Sequence, residues 1–489
     1  MSHDAAPEVG APSPEQTFTI RVSHMADLFW WHIDALLEVA DVTIPEIEKL
    51  DSPEETYSTV IKLMSTLNGD AVKTISKAFR KFTSVEDVDP EGLGSFMPTI
   101  WEEVKSEAWG PGFILQLHEA FQRPPRLPIF LQSTTVSAVS NFEVLFSGLM
   151  TQYYSITPQA LEAASREKEK EFSLRELKEM DSLADAIDIA IGRRVDELMF
   201  GSFSDWRKFC LDKLNLKFDD YAIDWEFLKE VFQRRHVIVH NGGLASRRYL
   251  RNVAPRFSAG VSEGDLLQID RGYLVRAVNE LLAFGFLLAA AVGMKLNKDG
   301  SSYVLGRLHK FTYRNLIKGR YEIVEKCSSY GESVSNGMDD VLTFRVNRWI
   351  AEQRLMKGSF RSEVEAWDVR ALSPRYKLAK LCLLGENDSA MKLLASLYSA
   401  GEVGFEDVIE WPLLEPLRGT DAYITMTRGM DIPDGWHFSN VVLYENPKSG
   451  TLHRPKCSLV RPEFNRRMVA QIAPKAAALC GRCKPELVQ

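Results

Sequence analysis

The feature that most limits what this chain can fold into is LLAFGFLLAAAVGM, an unbroken run from Leu281 to Met294 with no charged side chain. A helix needs about 20 apolar residues to cross a bilayer, so this run is too short to span one. Arg276 and Glu280 precede it within the same helical pattern. It is expected to be a core helix. A helix that is apolar all round must be covered all round by other elements.

The surrounding sequence can supply that cover. Between residues 130 and 298 apolar residues recur three and four apart, and no long stretch alternates apolar with polar. The pattern predicts a helical bundle. Its first long helix covers 133–154, and a second lies in ELKEMDSLADAIDIAIGRRVDELMF. A shorter helix covers 205–214, another lies within 221–243, and the last covers 271–294.

A chain of 489 residues exceeds one ordinary core, so several domains are expected. Residues 1–18, rich in Ala, Pro, Glu and Ser, read as disordered. Residues 19–126 read as an N-terminal helical domain, with helices over 28–39 and 57–67. RPPRLP at 123–128 cannot continue a helix and marks its end. The bundle then occupies 127–299. Residues 300–420 read as paired helices, where YKLAKLCLLGENDSAMKLLASLYSAGE is helix, GEND turn and helix. That stretch resembles one tetratricopeptide-type hairpin, without a period that extends it into an array. Residues 421–489 read as a small module, in which FSNVVLYENPKSGTLHRP is a β-hairpin turning at NPKSG. The expected class is therefore mainly α and multi-domain.

Composition narrows the functions. Apolar residues at 45% and charged residues at 26% are those of globular protein. A net charge of -8 argues against binding nucleic acid through the whole surface, but leaves room for a local basic site. The start, MSHDAAPEVGAPSPEQ, has neither a basic opening nor an apolar stretch. A cytoplasmic location without a membrane partner is expected. There is no Walker loop, no G-x-G-x-x-G and no H-E-x-x-H, so ATP hydrolysis and metalloprotease chemistry find no support.

The central signal is Arg235-His236-Val237-Ile238-Val239-His240, followed by Asn241-Gly242-Gly243. Trp225, Leu228, Phe232 and Val239 fall at helical spacing and are expected to face the core. The Asn-Gly-Gly run ends the helix, which puts His240 at its C-terminus and His236 one turn earlier on about the same face. Arg235 sits about 140° from His240, so only its length can bring its charge to the same place. Neutral imidazole can take the proton of a ribose 2′-hydroxyl near neutral pH, and a guanidinium can grip phosphate as charge builds. From Val231 to Ser262 there is no Asp, Glu or Lys but six arginines: Arg234, Arg235, Arg247, Arg248, Arg251 and Arg256. Such an island would attract a phosphate backbone.

This motif on a late helix of a bundle, with NGGLASRRYL and GDLLQID…YLVRAVNELLAFGF after it, resembles the HEPN family over roughly residues 130–298. The resemblance implies a homodimer in which two Arg–His motifs meet in one RNA-cleaving cleft. Arg235 and His240 would be catalytic, and His236 would take the auxiliary polar place. The expected activity is a metal-independent endoribonuclease leaving a 2′,3′-cyclic phosphate and a 5′-hydroxyl. The expected setting is a toxin or anti-phage defence effector under a protein trigger or antitoxin. Arg234, Arg247, Arg248, Arg251 and Arg256 would hold RNA. The alternative within the family is a non-catalytic scaffold for dimerisation or RNA binding.

A second constellation closes the chain. His453, Cys457, Cys480 and Cys483 form H-x3-C-x22-C-x2-C. Three thiolates and an imidazole match a closed structural zinc site, with His437 as a spare ligand. Lys456, Arg482 and Lys484 lie beside the ligands. LHRPKCSLV…LCGRCKP resembles small zinc modules appended to nucleases and to Ada-type DNA-repair proteins, which leaves a zinc-dependent DNA-binding regulator as a third reading. Cys210, Cys327 and Cys382 are scattered and read as packing residues. Trp30-Trp31-His32 could stack on bases, but aromatic core on an amphipathic helix is the plainer reading.

Overall fold

The computed structural model describes residues 14–52, 61–65, 67–80, 100–122, 124–161, 172–428, 442–453, 457, 459–461, 464–468 and 478–481, and positions 58, 98 and 430 singly. Among them the chain is mainly helical, with its strands confined to the C-terminal end. It divides into two compact units. One comprises residues 20–217 and 224–292, and the other residues 14–19, 218–223 and 293 onward.

The first unit is a helical bundle. Its elements are α1 (Pro14–Leu50, from Ile20 on), α2 (Gly69–Arg80), α3 (Gly110–Gln122), α4 (Arg126–Ile156), α5 (Leu174–Glu179), α6 (Leu183–Met199), α7 (Phe203–Asp212), α8 (Trp225–Asn241), α9 (Arg247–Asn252), α10 (Pro255–Ser258) and α11 (Arg271–Leu296). The apolar run lies in α11, and 89% of that helix's most apolar 18-residue stretch is buried inside the protein. Aromatic side chains do much of the covering. Phe284 stacks on Phe142 of α4 at 5.5 Å and meets Trp225 of α8 edge-on at 5.1 Å. Phe142 also contacts Phe232 at 5.7 Å and Phe29 at 6.2 Å. Gly285 lets α1 come close, since a Cβ there would lie 2.5 Å from the Phe29 ring. Removing a ring such as Phe142, which is fully buried, costs about 3–5 kcal/mol.

These contacts correct the expected domain plan. Residues 20–50 do not belong to a separate N-terminal domain, because Phe29 and Trp30 pack on Phe142 and Phe286 in the bundle core. A separate small core of Ile75, Ile100, Val104, Phe113 and Leu117 serves the segment between α1 and α4. The proline run before α4 ends a helix without ending a unit. Helix α1 also begins at Pro14, inside the stretch expected to be disordered, and Phe18 is 2% exposed.

The second unit stacks helices α12 (Ser301–Ile317), α13 (Tyr321–Val334), α14 (Met338–Arg354), α15 (Ser359–Ala366), α16 (Pro374–Leu384), α17 (Asn387–Ser399), α18 (Phe405–Glu410), α19 (Glu415–Arg418) and α20 (Asp421–Arg428). Trp349, Leu378, Leu394, Leu414 and Tyr423 lie in its core. Gly385 ends α16 in the left-handed region at φ 79°, which turns the chain straight into α17.

The strands are β1 (Val442–Glu445), β2 (Thr451–His453), β3 (Asn465–Met468) and β4 (Ala478–Leu479), in the order β3-β1-β2-β4. β1 and β2 form the NPKSG hairpin, with Tyr444 opposite His453. The turn is closed by Gly450 N–H donating to the Asn446 carbonyl at 2.8 Å. β3 adds antiparallel to β1, and β4 adds parallel to β2 with Leu452 opposite Leu479.

Candidate functional sites

Helix α8 is fixed at both ends. Asp224 caps its start by accepting the Phe227 N–H at 3.0 Å. Gly242, at φ 60°, ends it by donating its N–H to the Val237 carbonyl. Phe227, Leu228, Val231 and Val237 are its buried positions. The chain then folds back on the helix end. Leu267 N–H donates to the Gly243 carbonyl at 2.9 Å, and Ala245 N–H to the Asp265 carbonyl at 2.8 Å. Inside this closed loop α9 lays Tyr249 and Val253 on Val237, which carries Arg248 toward the last turns of α8.

Four side chains gather there. The rings of His236 and His240 lie 4.5 Å apart, His236 half-buried and His240 exposed. Burial holds the His236 imidazole below its usual pKa, and the neighbouring His240, Arg248 and Arg235 push in the same direction. Arg235 reaches across to α4, where its Nη2 donates to Glu143 at 3.2 Å. Its Nε is buried without a hydrogen-bond partner. Burial raises the Glu143 carboxyl above the usual carboxylate range, against the pull of Arg235. Chemically, two imidazoles stand beside a guanidinium that has donors to spare for an anion. Glu143 lies far upstream on α4, and no spacing in the sequence points to it.

The arginine island breaks up. Arg234 is 9% exposed and cannot hold RNA. Its Nε donates to Glu230 at 2.6 Å, its Nη1 to the Gln268 carbonyl, and its guanidinium covers the Tyr273 ring at 4.4 Å. Glu230, fully buried, also accepts from the Tyr249 and Tyr273 hydroxyls. The four-residue spacing of Glu230 and Arg234 was the available signal that they pair along one helix. Arg256 is also a correction. It donates to Asp224 and lies 3.1 Å from Glu226. Those partners sit at the start of α8, about 24 Å along the helix from His240. Arg247 is exposed and paired with Glu263 at 2.6 Å. Arg248 and Arg251 are exposed, and of these Arg248 acts on His236. Val239, expected in the core, is 49% exposed because the buried stripe runs through Val231 and Val237 instead.

At the other end of the chain, His453 at the end of β2, Cys457 four residues on and Cys480 after β4 form a cluster able to hold a metal ion. Their ligand atoms lie within 4.8 Å of one another. His453 Nδ1 is 3.6 Å from Cys457 Sγ. Two ligands of one tetrahedral ion, at about 2.1 and 2.3 Å from it, stand roughly that far apart. The parallel β2–β4 pairing brings Cys480 in, and its N–H donates to the Leu452 carbonyl at 3.0 Å. His453 and Cys480 are buried and Cys457 is half-buried. Cys483 and His437 lie outside the described residues.

Comparison with protein-family models, with curated proteins and with solved structures returns no match.

Proposed function

We propose that the bundle unit is a HEPN-type, metal-independent endoribonuclease. The observation that carries this reading is the pairing of His236 and His240 at 4.5 Å on the last turns of α8, with Arg235 and Arg248 acting on the same imidazole. One neutral imidazole removes the proton from a ribose 2′-hydroxyl, whose oxygen then attacks the adjacent phosphorus. The bond to the 5′-oxygen breaks, and that oxygen takes a proton from the other imidazole in its charged form. Arg235 and Arg248 stabilise the charge on the phosphoryl oxygens. The products are a 2′,3′-cyclic phosphate and a 5′-hydroxyl. Every bonding change uses the RNA's own hydroxyl, so DNA is not cut.

Val144 and Val239, next in sequence to Glu143 and His240, are 73% and 49% exposed. They suit a homodimer that joins two such sites. In this reading the protein is a toxin or defence effector whose second unit takes a regulatory partner. The C-terminal cluster holds zinc in a structural role, with Cys483 as fourth ligand. The His453 imidazole and the Cys457 and Cys480 thiolates would bind and orient the ion, which would cross-link the sheet.

The test is a short time course of the full chain on a tRNA mixture in EDTA, beside His240→Ala, with the RNA ends mapped. Cleavage by the wild type alone, with cyclic phosphate ends, supports the reading. Cleavage that persists in His240→Ala, or that leaves 3′-hydroxyl ends, overturns it.

A further inference from the structure

The hairpin unit contains an open cleft of about 840 Å³ that belongs to neither site above. The helices α12, α14, α16 and α18 line it. Its walls are aromatic and charged, with Tyr313, Tyr376 and Trp411 among the lining groups. Two of its carboxylates are occupied. Asp340 faces His309 at 3.0 Å, and Asp407 takes Arg375 at 2.9 Å. Asp339, Glu406 and Glu410 also line the cleft and have no side-chain partner among the described residues, against the two cations Lys310 and Arg314, likewise uncommitted there. The negative field is felt by Tyr313, whose phenol is pushed up to about 12 by burial and then by Glu410 and Asp407.

An independent observation points to a ligand. Asn347 is only 5% exposed and lines the cleft, and its side-chain amide has no hydrogen-bond partner among the described residues. An amide has both donors and an acceptor, the complement of a peptide unit. A ring-walled, open cleft with spare carboxylates suits an extended chain bearing a cationic side chain, since aromatic faces and carboxylates both attract a cation.

We propose that this cleft binds an extended polypeptide segment of another protein, with the Asn347 amide pairing to its backbone and Asp339, Glu406 and Glu410 receiving a lysine or arginine side chain. The proposal rests on the reading that the second unit takes a regulatory partner, and its test does not depend on RNA cleavage.

The experiment selects a displayed library of randomised twelve-residue peptides on the full chain. Enriched peptides are then measured by fluorescence anisotropy on the wild type, on Asp339→Asn/Glu410→Gln and on Asn347→Ala. Both acidic positions lack partners, so the double variant keeps its fold, which circular dichroism checks. The expected result is enrichment of lysine or arginine and at least tenfold weaker binding to the double variant, with further weakening in salt. Enrichment of acidic peptides, no enrichment, or equal binding by the double variant overturns the proposal.

Discussion

Arg235 of α8 donates to Glu143 of α4 at 3.2 Å, and this pair ties the proposed cleavage site to the neighbouring helix. Both side chains are about a quarter exposed, so the pair adds on the order of 1 kcal/mol or less to stability. Its larger effect is on direction, because fixing one guanidinium nitrogen sets where the partly exposed group points. The Glu143→Gln variant is expected to cut RNA about tenfold more slowly, the scale of loss a misplaced catalytic group produces. Its thermal midpoint should stay within a few degrees of the wild type. Single-turnover cleavage and a melting curve check this. Unchanged or faster cleavage sinks the idea, and faster cleavage would make Glu143 a competitor of phosphate.

The imidazole of His236 is expected to titrate below its usual 6.5, chiefly because it is partly buried and then because His240, Arg248 and Arg235 stand beside it. The unfolded chain therefore holds more protons between the lower folded value and 6.5, so this group's contribution to stability is complete above about 6.5. It is lost as pH falls through the folded value. Removing one neighbouring charge in Arg248→Ala should move the titration of His236 upward, which ring proton NMR reads directly. A titration that does not move would place Arg248 away from the site.

How much of this was legible follows from the range of each interaction. The helix end at Gly242, the pairing of His236 with His240 and the NPKSG hairpin all rest on residues within a few positions of one another. The apolar run could be read as core because Arg276 and Glu280 share its helical pattern, and 89% of its helix's most apolar stretch is buried. The roles of the arginines were not legible. Arg234 and Arg235 are adjacent in sequence, yet one is consumed by buried Glu230 and the other reaches Glu143 on α4. Which neighbour an arginine finds depends on tertiary packing. The domain plan failed for a similar reason. A proline run stops a helix locally, but it does not say whether Phe29 will find its partner on the far side of that stop.

Glu230 is fully buried, and its two oxygens accept from Arg234, Tyr249 and Tyr273. Burial, and then Glu230 itself, hold the Tyr249 phenol well above its usual range, so it stays a donor. In Glu230→Gln the guanidinium of Arg234 loses its countercharge in a buried place, which costs about 3–5 kcal/mol. Replacing both, as Glu230→Gln/Arg234→Met, removes the stranded charge and is expected to recover most of that loss. Denaturant midpoints of the two variants decide it. A single variant as stable as wild type would show that water reaches the network.

The fourth strand of the C-terminal sheet ends beside the ligand cluster. β4 is only two residues long, and Cys480 follows it directly against His453 and Cys457. A pairing that short holds little by itself, so an ion shared by His453, Cys457 and Cys480 would be the main cross-link. One metal ion per chain is expected in protein purified without chelator, and His453→Ala or Cys480→Ser should lose it. Helical content should stay, because the helices lie outside the sheet and bury their own core. Metal analysis measures the first point and far-ultraviolet circular dichroism the second. A thiol reagent adds a third. Cys210, Cys327 and Cys382 are buried in either state, whereas chelation should free Cys457 and Cys480 to react. Full metal content in Cys480→Ser, or thiol reactivity that chelator does not change, would show that these residues hold no ion.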